Sequence, residues 1–141
     1  MAKMRRYNHA VEPLLQSIVG IVSAHDDVTA VYLFGSTARG TARPDSDIDV
    51  AVLFDADQPS TLEAPRFVIE GELERVLGRP IDLVALNDAP VDLRIRILRE
   101  GRLLLDRRPA ARIAFEVRTR NEAFDLEPVL ARYRSPEHRQ E

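Results

Sequence analysis

The sequence predicts an α/β (α+β) domain in which a small mixed sheet is flanked by helices. Three observations carry that expectation. Val11, Leu14, Leu15, Ile18, Val19 and Val22 recur at the spacing of one helix face and predict a first helix over residues 7–25. Val28–Phe34 then forms a nearly continuous β-prone run, the pattern of a strand buried on both faces. Residues 47–54 form a second such run, and the connection between the two is too short for a crossover helix, so this pair is expected to be antiparallel.

The other elements follow in order. Residues 36–40 read as a short helical turn or loop, and 41–46 as a Pro-bearing connection with Arg43 and Asp45 as turn residues. A polar loop at 55–60 leads to a helix over 62–77 that Gly78 stops. Residues 80–86 predict a third strand, 87–90 the start of a helix that runs to Glu100 and stops at Gly101, and Leu103 to Leu105 a short strand. The last helix begins near Pro109. At Asp125-Leu126-Glu127-Pro128 a capping Asp precedes a Pro tolerated only in a first turn, so a break or kink is expected near Asp125. Beyond it Leu126, Val129, Leu130 and Tyr133 make one apolar stripe, which needs cover from the domain's own core, a partner protein or a second copy. The domain is expected to span 1–134, with a polar tail over 135–141.

A chain of 141 residues has room for one core and not two. It is 45% apolar and 30% charged, with a net charge of −3, a globular profile. No run approaches the ~20 apolar residues of a transmembrane helix, and the first residues form no signal-peptide core, so a cytoplasmic location away from membranes is the expectation. The absence of cysteine excludes disulfides and thiolate chemistry, and His9, His25 and His138 have no ligand spacing. Any chemistry must therefore use carboxylates, hydroxyls, histidine or arginine. Residues 1–90 carry 8 basic and 14 acidic side chains and 91–141 carry 12 and 9, and every basic residue but Lys3 is arginine. The basic half either faces an acidic surface or spends its arginines in Glu/Arg pairs along helices.

The chemistry is concentrated in residues 33–54, LFGSTARGTARPDSDIDVAVLF. Strand alternation places Ile48, Val50, Val52 and Phe54 on one face and Asp47 and Asp49 on the other, their Cα atoms about 6.6 Å apart at ~3.3 Å per residue. Two unpaired carboxylates at ~4 Å repel by about 4 kcal/mol at an effective dielectric of about 20, a penalty that a divalent cation removes. Hard oxygen ligands without Cys or His point to Mg²⁺ or Mn²⁺. Gly35 offers a bare backbone that a phosphate can approach, and Ser36 adds a hydroxyl at the start of a helical turn. The hairpin makes these two neighbours of Asp47 and Asp49, so a phosphate grip lies beside a metal grip and the expected ligand is a metal-bound nucleoside triphosphate. Asp82, the one acid inside the apolar run 81–86, is costly if buried unpaired and is expected to complete a two-metal site. Arg39, one turn past the phosphate grip, either touches the triphosphate or braces the loop. Tyr7, Tyr32 and Tyr133 read as packing residues, with Tyr133 the most exposed.

This Gly-Ser, ten-residue gap, Asp-x-Asp pattern resembles the signature of the DNA polymerase β-like nucleotidyltransferase superfamily. Within it, GSTARGTARPDSDIDVAVL, PIDLVALNDAP and the ending ILREGRLLLDRRPAARIAFEVRTRNEAFDLEPVLARYR look like the minimal nucleotidyltransferase (MNT) antitoxins that partner HEPN-domain RNase toxins, over about residues 28–134. The resemblance implies the polymerase β-like fold, Asp47 and Asp49 as metal ligands, Asp82 as third ligand or base, and Gly35 and Ser36 as the triphosphate site. It further implies transfer of AMP from ATP to a tyrosine of the toxin, with Mg²⁺ as cofactor, a hetero- or homo-oligomer, and no direct contact with nucleic acid. Two other readings use the same residues. One is a free-standing nucleotidyltransferase acting on a small-molecule hydroxyl, for which the chain has little room; the other is a catalytically idle neutraliser, against which the intact set of three carboxylates argues.

Overall fold

In the computed structural model, residues 12–40, 43, 46–56 and 64–134 are described. Their elements run α1 (Glu12–Ser23), β1 (Val28–Phe34), α2 (Gly35–Arg39), β2 (Ile48–Phe54), α3 (Pro65–Leu77), β3 (Ile81–Ala85), a 3-10 turn (Leu86–Asp88), α4 (Val91–Glu100), β4 (Arg102–Asp106) and α5 (Pro109–Arg134). The strands form one mixed sheet in the order β3-β2-β1-β4. β1 is antiparallel to β2 and β4, and β2 is parallel to β3. The short connection between β1 and β2 forces the antiparallel pair, whereas α3 supplies the crossover that parallel pairing of β2 with β3 requires.

β1 is buried along its whole length, as a central strand covered on both faces must be. One face of the sheet (Val31, Leu33, Ile48, Val50, Val52, Phe54) packs on Ile18 and Val22 of α1 and Ile69 and Leu73 of α3. The other (Ala30, Tyr32, Phe34, Ala51, Leu53) packs on Ile97 of α4 and Phe115 of α5. Each fully buried Leu, Ile or Val contributes about 1.5–3 kcal/mol, so these two layers hold the sheet rigid under the site. Asn87 extends the ladder at the far end of β2: its Oδ1 accepts the Phe54 N–H at 2.9 Å and its Nδ2 donates to the Phe54 carbonyl at 3.0 Å.

Much of the basic half is used internally. Arg107 donates to the carbonyls of Ser23 and His25, and Arg108 to those of Asp26 (2.8 Å) and Val28 (2.9 Å), so the two close the α1–β1 connection. Arg94 ties α4 to α5 through Thr119 (3.1 Å) and Glu122 (2.6 Å). Between the sheet and α5, the Tyr32 hydroxyl donates to Glu116 at 2.6 Å and Arg112 donates to the same carboxylate at 3.0 Å. Burial and the Glu116 charge push the Tyr32 phenol far above its ordinary pKa, which keeps it a neutral donor. Among the described residues no helix is long and apolar enough to cross a membrane.

Three expectations are corrected. α3 begins at Pro65 and not at residue 62, because Ala64 is held extended (ψ 143°), as the residue before a proline prefers. α5 does not restart at Asp125: it runs unbroken for 26 residues with Pro128 inside it. A proline in mid-helix removes one hydrogen bond at a cost of about 3 kcal/mol, which a long helix absorbs without ending. Asp82 is exposed on β3 and not buried, since β3 is an edge strand. The first helix is described only from Glu12, so its expected start at residue 7 lies outside the described residues, as do Asp45 and the tail from 135. The apolar stripe on α5 does not fold back on the core: Leu126, Val129 and Tyr133 are 40%, 46% and 76% exposed, and Phe124, elsewhere on the same stretch of helix, is 81% exposed.

Candidate active site

Three strands deliver the site residues to one end of the sheet. Phe34, the last residue of β1, pairs with Asp49 in the antiparallel register, and Asp49 pairs with Asp82 in the parallel one. Gly35, Asp49 and Asp82 are therefore side by side. Gly35 has φ +72°, and a Cβ built on it would overlap Asp49 Oδ2 and lie 2.9 Å from Asp49 Cγ. Only glycine satisfies both the left-handed backbone and the approach of that carboxylate. The glycine and the acid singled out in the sequence are thus in contact.

Asp49 is half-buried at the start of β2, with Asp82 within hydrogen-bonding reach. Burial first, then the charge and hydrogen bond of Asp82 and the charge of Asp47, raise the Asp49 carboxyl above the ordinary carboxylate range, and Arg39 partly offsets this. Asp47 is exposed, one residue before the strand, and acts on Asp49 through its charge alone. Among the described residues no three acidic or histidine side chains are gathered tightly enough to form a finished cation cage. The donor set nevertheless fits a hard divalent cation: three carboxylates share this end of the sheet, no Cys or His is among them, and their mutual repulsion is what a cation relieves.

Ser36 and Thr37 lie in α2, the short helix that leaves Gly35, and its C-terminus is capped by Gly40 in the left-handed conformation (φ 76°). Arg39 is exposed in the last turn of α2 and close enough to lower the Asp49 carboxyl, so its field reaches the acidic group. Sequence reasoning missed two arginines that brace this end of the sheet. Arg102 Nε donates to the Ala38 carbonyl at 3.0 Å and fixes the end of α2. Arg79 donates to the carbonyls of Ser46 (2.7 Å) and Arg43 (3.3 Å), just ahead of Asp47. Both contacts bridge distant segments, so no local pattern could have revealed them.

Residues 16–110 match a family model described as polymerase β, nucleotidyltransferase. The protein adenylyltransferase MntA of Thermococcus cleftensis is 35% identical over 94 residues, which cover 61% of this chain and 91% of that protein. A chain of a toxin–antitoxin crystal structure with AMP-PNP superposes with a TM-score of 0.69 at 25% identity, covering 86% of this chain and 98% of its own. The fold alone is shared, at a TM-score of 0.64 and 22% identity, with a chain of the complex between the tri-AMPylated HEPN toxin of Shewanella oneidensis and its MNT antitoxin; the match covers 88% of this chain and 98% of that one.

Proposed function

Because the chain belongs to the polymerase β nucleotidyltransferase family, we propose that it is an antitoxin that transfers AMP from ATP to a tyrosine of a cognate HEPN-type RNase toxin and so silences it. The observation that carries this reading is the register placing Gly35 against Asp49 and Asp49 against Asp82. The adenylyltransferase relative and the toxin–antitoxin complex with an ATP analogue support the choice of AMP as the transferred group and of a toxin as the acceptor.

Asp47, Asp49 and Asp82 are the residues that would hold Mg²⁺ or Mn²⁺, whose chemistry is to neutralise the triphosphate and lower the pKa of the acceptor hydroxyl. The chain's own contribution is placement. Gly35 leaves room for Asp49, and the Ser36 hydroxyl and the backbone of this turn would hold the phosphates. The acceptor oxygen bonds to the α-phosphorus, the bond from that phosphorus to the bridging oxygen of the β-phosphate breaks, and pyrophosphate leaves. The hydroxyl proton passes to a carboxylate, and the one we assign is Asp82, exposed near the start of β3 and in register with Asp49. Asp82→Asn is accordingly expected to lower turnover more than ATP affinity. Nucleotide titration beside single-turnover rates checks this, and an equal loss in both would move Asp82 to the triphosphate side.

The reading is tested by incubating the protein with Mg²⁺, its candidate toxin and ATP labelled on the α-phosphate. Label on a toxin tyrosine is the expected result. Label only on a small hydroxyl compound would favour the small-molecule transferase, and no transfer at all the idle neutraliser.

The outer half of α5 is the surface we assign to the toxin. Phe124, Leu126, Val129 and Tyr133 are exposed on it, and partner contacts of this kind rest on a few apolar anchors. Leu126→Ala combined with Tyr133→Ala is expected to weaken toxin binding by about 2–4 kcal/mol. ATP affinity and melting temperature should stay at wild-type values, as isothermal titration and thermal melting would show. Unchanged toxin binding would place the contact elsewhere.

A further inference from the structure

Arg79 follows Gly78, the left-handed residue that ends α3, and only Pro80 separates it from β3. Its Nη2 carries two N–H groups and donates to the carbonyls of Ser46 and Arg43 at 2.7 and 3.3 Å. Those carbonyls belong to a turn that is already closed twice. The Ser46 N–H donates to the Arg43 carbonyl at 3.0 Å, and the Arg43 N–H to Ser46 Oγ at 2.9 Å. On the other side of Asp47, the Ile48 N–H donates to the Pro80 carbonyl at 3.0 Å. Both neighbours of Asp47 are therefore fastened to residues 79–80.

This matters because Asp47 stands outside the strand, and its side chain is exposed. The paired residues of β2 begin at Ile48, so the backbone on either side of Asp47 sets its direction. The segment that grips this backbone runs straight on into Asp82, which is in register with Asp49. One short stretch thus sets Asp47 relative to both other carboxylates. A guanidinium suits the task, being planar, permanently charged and able to hold two carbonyls at once, and Arg79 Nε is shielded from solvent.

We infer that Arg79 is a positioning residue, which holds the carbonyls of Arg43 and Ser46 so that Asp47 converges with Asp49 and Asp82 on one cation; this rests on the proposed function. The test uses the full chain with Arg79→Ala and Arg79→Lys, first by hydrogen exchange without metal and then by Mn²⁺ titration without nucleotide. In Arg79→Ala the Ser46 and Ile48 amides should exchange faster while those of β1 keep wild-type rates, and Mn²⁺ affinity should fall about tenfold or more. Arg79→Lys should recover part of that affinity. In an Asp47→Asn background Arg79→Ala should cost nothing further, because the residue it positions is already gone. Arg79→Gln, which keeps a shorter stem and an amide NH₂, carries the same readouts if Arg79→Ala does not fold. Unchanged exchange, undiminished Mn²⁺ uptake by Arg79→Ala, or an equal loss in the Asp47→Asn background would each overturn the inference alone. A wild type that takes up no Mn²⁺ would overturn the proposed function, and this inference with it.

Discussion

Asp49→Asn is expected to reduce AMP transfer roughly a thousandfold or more while the metal-free protein melts no earlier than wild type. Asp49 is the hub of the site: Gly35 lies against it, Asp82 is within hydrogen-bonding reach and Asp47 acts on it through its charge. A bound cation supplies several kcal/mol of transition-state charge stabilisation, and about 4 kcal/mol corresponds to roughly a thousandfold in rate. In the absence of metal the sign reverses. The Asp49 carboxylate is then disfavoured by burial and by two like charges, and asparagine removes its share of that repulsion at nearly the same volume. Transfer assays and thermal melting in chelator check the two halves together. Transfer above a few per cent of wild type, or a clear drop in the chelator melt, would remove Asp49 from the centre of the mechanism.

Gly35→Ala is expected to be the most damaging substitution by a single methyl group. Its cost has two parts: about 1–2 kcal/mol for an L-residue at φ +72°, and about 1–3 kcal/mol for the overlap of the new Cβ with the Asp49 carboxylate. Relief of the overlap must move Asp49, and a displacement near 1 Å at a reacting centre costs roughly a hundredfold in rate. Gly40→Ala is the matched control. Its φ of +76° carries the same backbone strain, but no described atom lies within 4 Å of the added Cβ. Both variants should therefore melt earlier, Gly35→Ala by the larger margin, and only Gly35→Ala should lose most of its transfer activity. Equal losses in the two would mean that backbone strain alone is responsible.

The parts of the structure legible in the sequence were those set by local rules. The continuous β-prone run gave β1 with both its ends, alternation put Ile48, Val50, Val52 and Phe54 on one face, and the short hairpin connection brought Gly35 beside Asp49. What was not legible depended on neighbours distant in sequence. An apolar run such as 81–85 looks alike in a central and an edge strand, so the exposure of Asp82 could not be read from Ile81 and Leu83. Pro128 predicts a break by its local penalty, which the long helix around it absorbs. Arg79 and Arg102 have the composition of surface residues, and their contacts with Ser46 and Ala38 exist only once the sheet has formed.

The 26 residues of α5 extend about 39 Å at ~1.5 Å per residue, and the described side chains beyond Glu122 are exposed, apart from a partly covered Ala123. The acceptor need not be enclosed by the domain that carries the site if the outer half of α5 is the docking arm proposed above. Once a partner is held there, the acceptor hydroxyl is present at the millimolar effective concentration typical of tethered reactants, and transfer becomes intramolecular in kinetic terms. Acceptor choice is then encoded some distance from the chemistry. On the proposed function, changes along the outer half of α5 would redirect the enzyme to a new protein while the carboxylates, the glycine and the rate assigned to them stay as they are.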